Sequence, residues 1–462
     1  MGDSEGTAAT PQRLTGVLVA ASLGMFMVQI DFFALNLALP QMAEDLDVSI
    51  TDLQWVISGY MLALAAFLIP GGRLGDTYGR RRMLIVGVAI FAGASTVCAA
   101  APSAGVIIPF RVLQGVGAAI MFPLCVAIVS NAFPADRQAR AIGNVYGLSA
   151  LATAIGPFFG GFFTEALSWR GIFLINIPVG ALTIAMLLYA VRESRDETVP
   201  RHLDWAGLLS VALGIGLVTF AVDRGEDWGW LGADTLAAFL AGLVLLVAFV
   251  AVEKRVRWPL VDLSLFRNRP YVVVTAMGTL ANIAFVSTTL ASTIYLQQVR
   301  GFSAIEAGAI YLVASGMIAF TGPLSGRLGE RFTVSHVIPI SMGVGAAGLV
   351  VVALDPGLVT YMLGLAVFGG GYGLGWSIVS VGTQQVVPTA KAGAASGVTL
   401  ALVIGLGGLG VAITAALIEG LSASGSPEGG VIEDILLVIA ASSAALGFLL
   451  DAVDRRLKPR PA

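Results

Sequence analysis

The chain has 462 residues, of which 57% are hydrophobic and 12% charged, with a formal net charge of −3. Soluble domains carry roughly 25% charged residues, so this composition leaves too little polar surface to face water and excludes an ordinary soluble protein. The net charge says nothing about partners, because charge in a membrane protein is segregated by side; the hydrophobic composition makes a lipid bilayer the expected partner, and no nucleic acid is expected.

Residues 1–13 are polar, and the apolar run Leu14 to Pro40 is too long for a cleavable signal, so it reads as a retained first span. Hydropathy breaks predict fourteen spans, at 14–40, 53–72, 83–101, 104–130, 139–165, 171–190, 203–222, 233–252, 270–296, 305–325, 336–354, 357–387, 392–419 and 431–451. In lipid such runs satisfy their backbone hydrogen bonds only as helices, so the expected class is all-α integral membrane. The 57 glycines suit close helix packing. Cys98 and Cys125 fall inside predicted spans as small apolar residues without metal-ligand spacing, and His202 and His336 lie far apart at span edges.

Lysine and arginine orient the spans. With the N-terminus inside, 22 of the 26 basic residues fall on the inner side. Arg170, Arg224 and Arg300 fall outside, and Arg111 lies within a span. This positive-inside bias predicts a multi-pass protein of the cytoplasmic membrane with both termini in the cytoplasm. The excess of arginine over lysine hints at a bacterium with a GC-rich genome.

An internal repeat sets the domain organisation. Gly72-Arg73-Leu74-Gly75-Asp76 follows the second span and Gly326-Arg327-Leu328-Gly329-Glu330 the tenth, an offset of 326 − 72 = 254 residues. Pro134, Arg137, Ala141 and Gly143 match Pro388, Lys391, Ala395 and Gly397 at the same offset. The offset covers eight spans rather than six. The expected organisation is therefore a six-helix bundle over 1–190, an inserted pair over 191–269 and a second six-helix bundle over 270–462. Repeats in the same orientation with a midplane site between them form one transporter architecture.

Two charges stand inside apolar spans. Asp31 lies in the outer half of the first, and Arg111 lies about 10 Å into the fourth at helical rise. An arginine at such depth costs on the order of 2.5–3.5 kcal/mol on insertion scales, so it should face the bundle interior beside a carboxylate or polar group. Burial favours a neutral carboxyl, whereas a neighbouring cation favours its ionised form. A group balanced between the two can take up and release a proton. The alternatives are a permanently ionised structural pair, or an Arg111 that snorkels to the interface.

Four segments carry a resemblance. They are Gly72-Arg73-Leu74-Gly75-Asp76-Thr77-Tyr78-Gly79-Arg80-Arg81-Arg82, Arg111-Val112-Leu113-Gln114-Gly115-Val116-Gly117, Gly156-Pro157-Phe158-Phe159-Gly160-Gly161, and Asp31-Phe32-Phe33-Ala34-Leu35-Asn36. With Trp169-Arg170-Gly171-Ile172-Phe173 and Asp204-Trp205-Ala206-Gly207, the chain resembles the major facilitator superfamily, specifically its fourteen-helix drug:proton antiporter branch. It departs from the family pattern at Phe33, usually threonine, and at Ala152, usually glycine.

The resemblance implies a major facilitator fold and alternating access between two bundles. It implies gating by Gly72, Asp76, Gly79, Arg80 and Arg81 in a cytoplasmic loop, and by Gly156, Pro157, Gly160 and Gly161 in the fifth span. Asp31 and Arg111 would couple protons. Asn36, Gln114, Asn144, Asn176, Asn282, Tyr311, Tyr372 and Trp376 are candidates for the substrate cavity, and Trp169 fits an outer-interface anchor. No phosphate-binding loop, nucleophile–base constellation or metal-ligand cluster stands in the sequence, so no enzyme activity, cofactor or metal is expected and an ion gradient must supply the energy. The expected activity is proton-driven export of hydrophobic or cationic small molecules by a monomer. The alternatives are a dedicated exporter of one metabolite or antibiotic, a facilitator, or a non-transporting scaffold or sensor.

Overall fold

The computed structural model describes residues 13–35, 38–48, 50–195, 204–257, 259–354, 357–388, 392–423 and 427–457. The first half of the chain forms α1 (Leu14–Leu35), α2 (Leu39–Leu46), α3 (Ile50–Tyr78), α4 (Arg80–Ala100), α5 (Ala104–Ala132), α6 (Ala135–Ala166), α7 (Arg170–Leu174) and α8 (Asn176–Ala190). Then come α9 (Trp205–Trp228) and α10 (Ala233–Glu253). The remainder forms α11 (Arg269–Ile294), α12 (Ala304–Arg331), α13 (Val334–Ala353), α14 (Leu358–Val386), α15 (Ala392–Ala423) and α16 (Glu428–Leu457).

Among the described residues, twelve helices are long and apolar enough to cross a membrane, against fourteen predicted. The other two candidates, Glu306–Gly322 and Ala395–Gly408, are shorter apolar stretches inside the long helices α12 and α15. Three predicted boundaries also move. α1 stops at Leu35, and Pro40 opens the separate helix α2, where its missing N–H costs nothing. The sixth span breaks at Ile175 into α7 and α8. The glycine segment after the second span is no loop: α3 runs helically through Gly72 and Asp76 to Tyr78, and the turn falls at Gly79 alone, whose φ of +110° suits glycine.

Helix bounds recur at the spacing of the sequence repeat. α5 and α14 start and end 254 residues apart, and α12 and α13 start 254 residues after α3 and α4. Helices α1 to α8 form one core containing Met25, Tyr60, Phe91, Met121 and Tyr146, which Leu400 and Ala401 of α15 join, and another near the opposite helix ends containing Leu35, Val56, Trp169 and Phe173. Helices α11 to α16 enclose a separate core containing Met277, Ile338, Phe368, Tyr372 and Leu436. α9 and α10 pack on each other, and α9 contacts both α3 and α15.

The two repeats meet along α6–α12 and α3–α15. α6 and α12 approach at glycines: a Cβ on Gly143 would stand 2.4 Å from the Gly322 carbonyl oxygen, and one on Gly322 2.7 Å from that of Gly143. Ser130 Oγ donates to Gln384 Oε1 at 3.2 Å, Ser380 Oγ donates to the Tyr146 hydroxyl at 2.9 Å, and Trp376 packs edge-on against Tyr146. Ser130 and Gln384 lie 254 residues apart. A residue that touches its own repeat mate lies beside the approximate two-fold axis. All these contacts sit toward the helix ends that carry the arginine-rich turns, so the structure is closed on that side.

Candidate functional site

The charge in α1 and the charge in α5 meet. Arg111 Nη1 donates to Asp31 Oδ2 at 2.5 Å, and both side chains are fully buried. Burial of both rules out the snorkelling arrangement for Arg111. Two amides saturate the other carboxylate oxygen, as Gln114 Nε2 donates to Asp31 Oδ1 at 2.9 Å and Asn176 Nδ2 at 2.7 Å. Arg111 also donates to Gln114 Oε1 at 2.8 Å and, through Nε, to the Val56 carbonyl at 2.9 Å. Ser95 Oγ accepts from Asn176 at 2.9 Å and donates to the Phe173 carbonyl at 2.9 Å. The guanidinium lies over the Tyr60 ring, 4.3 Å from its centroid. Six helices thereby join one buried network around Asp31: α1, α3, α4, α5, α7 and α8.

Sequence reading missed Ser95 and Tyr60. Serine and tyrosine are ordinary in apolar helices, and only their convergence on Arg111 and Asp31 marks them. Gln114 and Asn176, candidates for the substrate cavity, are buried and donate to Asp31. Arg111 Nη2 and Asn176 Oδ1 are buried and make no hydrogen bond among the described residues. The network is therefore tight around the carboxylate and incomplete at its edge. Protonating Asp31 would remove the charge that pairs with Arg111 and weaken the charge-assisted bonds from both amides, leaving Arg111 a buried cation without its counter-charge.

The glycines of the fifth span explain how α1 is placed. A Cβ on Gly156 would stand 2.6 Å from Phe33 Cβ, and one on Gly160 2.1 Å from the Ala34 carbonyl oxygen. Gly160 therefore lets α6 lie directly on α1, three residues beyond Asp31. Gly161 is buried in the same helix. Asn36 and the Pro157 side chain lie outside the described residues.

At the arginine-rich side, Arg80 donates to Asp76 Oδ1 through Nε at 3.0 Å and Nη2 at 2.9 Å. Arg81 Nη1 donates to the Val191 carbonyl at 3.1 Å. Glu193, unmarked in the sequence, accepts the backbone N–H groups of Arg81 and Arg82 at 3.0 Å each and so caps α4. A Cβ on Gly79 would strike this carboxylate at 2.7 Å. Gly72 needs no glycine, since its nearest neighbour, Pro123, stands at 3.6 Å.

The expected cavity residues scatter. Trp376 lies at the contact between the repeats. Tyr372 is fully buried inside the second repeat, where its hydroxyl meets Ser443, so it faces no space between the bundles. Asn282 is buried and donates to the Val403 carbonyl at 2.8 Å, strapping α11 to α15. Tyr311 is half-buried and shares a hydrogen bond with Thr289 at 2.5 Å. Asn144 is half-buried on α6. Trp169 is no interface anchor: it is 1% exposed, and its indole N–H donates to Asp45 at 3.0 Å. Arg170 donates to the same carboxylate at 2.7 Å, and these two bonds hold the Asp45 carboxyl below its ordinary range.

The family model of the Major Facilitator Superfamily matches residues 21–412, and the chain belongs to that superfamily. It is 34% identical over 384 residues to the multidrug resistance protein Stp of Mycobacterium tuberculosis, covering 82% of this chain and 71% of that protein. It is 32% identical over 427 residues to the tetracenomycin C resistance and export protein of Streptomyces glaucescens, covering 90% and 79%. The fold resembles that of the human organic anion transporter MFSD10, with a TM-score of 0.67 at 15% identity over 95% of this chain and 99% of that one. The protein is a multi-pass membrane transporter and not an enzyme, with bacterial drug-efflux and resistance proteins among its relatives.

Proposed function

We propose that the protein is a proton-coupled antiporter that exports hydrophobic small molecules by alternating access, with Asp31 as the proton-carrying group. The observation that carries this reading is the buried Asp31–Arg111 pair and its amide supports. Arg111 already matches the Asp31 charge, which favours uncharged cargo over a permanent cation. The organisation is two six-helix bundles, 1–190 and 270–462, with the pair α9–α10 inserted between them, and fourteen helices cross the membrane. With the arginine-rich turns in the cytoplasm, the closed side faces the cytoplasm, and Asp76, Gly79, Arg80 and Arg81 latch it. Protonation of Asp31 from outside loosens the network and releases cargo; deprotonation toward the cytoplasm restores it.

A second reading, export of a single antibiotic, is favoured by the similarity to a tetracenomycin C exporter. Vesicles holding purified protein separate the two readings. An imposed proton gradient should drive tetracenomycin C, and a set of unrelated hydrophobic dyes, in wild type and not in Asp31→Asn. Movement of tetracenomycin C alone selects the narrow exporter. Equal gradient-driven movement in the mutant rejects Asp31 as the proton carrier.

A further inference from the structure

The inserted pair α9–α10 ends in a feature that the transport reading leaves unused. Glu253, the last residue of α10, is 4% exposed. Its carboxylate accepts the backbone N–H of Leu260 at 3.2 Å and of Val261 at 3.0 Å. It thereby folds the following segment back onto its own helix. The other end of the pair is fastened at the same point: Asp204 caps α9 through the Gly207 N–H at 2.9 Å. A Cβ on Gly207 would meet Asp204 at 2.6 Å and Glu253 at 2.8 Å, so the start of α9 lies closely against the end of α10 at a position where only glycine leaves room.

The segment held this way is apolar and deeply seated, with Leu260 and Val261 4% and 2% exposed. Leu260 closes a small cleft with Ile69, Gly72, Arg73 and Asp76 of α3 and with Gly397 and Val398 of α15. Leu260 and Val261 share a core with Leu208, Val211, Phe249 and Val398, with Ile69 and Leu402 packed against it. Every wall of that core belongs either to the inserted pair or to the two helices, α3 and α15, that face each other across the repeats. Opening the arginine-rich side requires those two helices to part, which strips one wall from the wedge.

We propose that the inserted pair is a clamp on the arginine-rich gate, in which Glu253 is the positioning residue that seats Leu260 and Val261 in the α3–α15 seam. The clamp rests on the alternating-access part of the proposed function and is independent of Asp31 and of any coupling ion.

The test reads gate opening without substrate. In a Cys98→Ala, Cys125→Ala background, Ser130→Cys places a thiol at the contact between the repeats. Its labelling rate by a membrane-impermeant maleimide in detergent reports opening. Glu253→Ala and Leu260→Ala should each raise that rate at least threefold, Glu253→Asp should return it toward wild type, and Leu243→Ala on the lipid-facing side of α10 should leave it unchanged. Gly143→Trp, which cannot fit against Gly322, serves as the opened reference. If it raises labelling while neither Glu253→Ala nor Leu260→Ala does, the clamp is rejected and alternating access stands. If no variant raises labelling, both fall. Should Glu253→Ala fail to purify as a monodisperse protein, Leu260→Ala carries the same decision.

Discussion

Arg111 directs its guanidinium to Asp31, Gln114 and the Val56 carbonyl, and every one of those bonds is buried. Removing one partner of a buried pair costs about 3–5 kcal/mol because it leaves a charge without compensation, whereas removing both charges can be nearly neutral. Arg111→Gln should therefore lower the thermal midpoint in detergent strongly, and Asp31→Asn combined with Arg111→Gln should recover most of the loss. A double variant as unstable as Arg111→Gln alone would show that the pair is not the stabilising unit. Asp31 and Arg111 were legible in sequence because each is a charge in an apolar run, and their proximity was expected from that cost. Asn176 was legible as an amide able to hydrogen-bond across helices, but neither its partner nor that of Gln114 was, since a sequence shows that an amide lies in a span and not what it faces.

Three glycines that looked alike in sequence differ at the scale of the helices they join. Gly79 carries a φ of +110° and faces Glu193, Gly160 touches the Ala34 backbone, and Gly72 has room for a methyl group. Gly79→Ala should lose roughly 1–3 kcal/mol of stability through backbone strain, seen as a lower thermal midpoint, while Gly72→Ala should stay within about 0.5 kcal/mol of wild type. Gly160→Val should push α6 off α1 and cut vesicle transport at least tenfold at unchanged expression. Transport at the wild-type rate in Gly160→Val would remove the close approach from the account. The glycine motif was readable as a tight-turn segment, but its turn lies elsewhere than expected: helix continues through Gly72 and Gly75, with only Gly79 at positive φ. Glu193 was invisible because its partners are backbone N–H groups more than a hundred residues away in the chain.

For the molecule as a whole, the spacing of 254 residues read from two short segments reappears in the bounds of whole helices and in the Ser130–Gln384 contact. The repeat identified which helices are mates; it could not say which would face each other across the seam, because packing between repeats is set by tertiary contact. The seat of α9–α10 against α3 and α15 was unreadable for the same reason. A disulfide between Ser130→Cys and Gln384→Cys, formed in the cysteine-free background, should hold the arginine-rich side closed and stop transport, and reduction should restore it. Transport that persists through the cross-link would place the moving seam elsewhere.

In the proposed cycle, Asp31 gives up a proton as cargo binds. Purified protein in a weakly buffered detergent solution with a pH-sensitive dye, titrated with tetracenomycin C, measures this directly. Proton release is expected from wild type, and binding without release from Asp31→Asn. Equal release from the two proteins, or binding to wild type with no release at all, would contradict it.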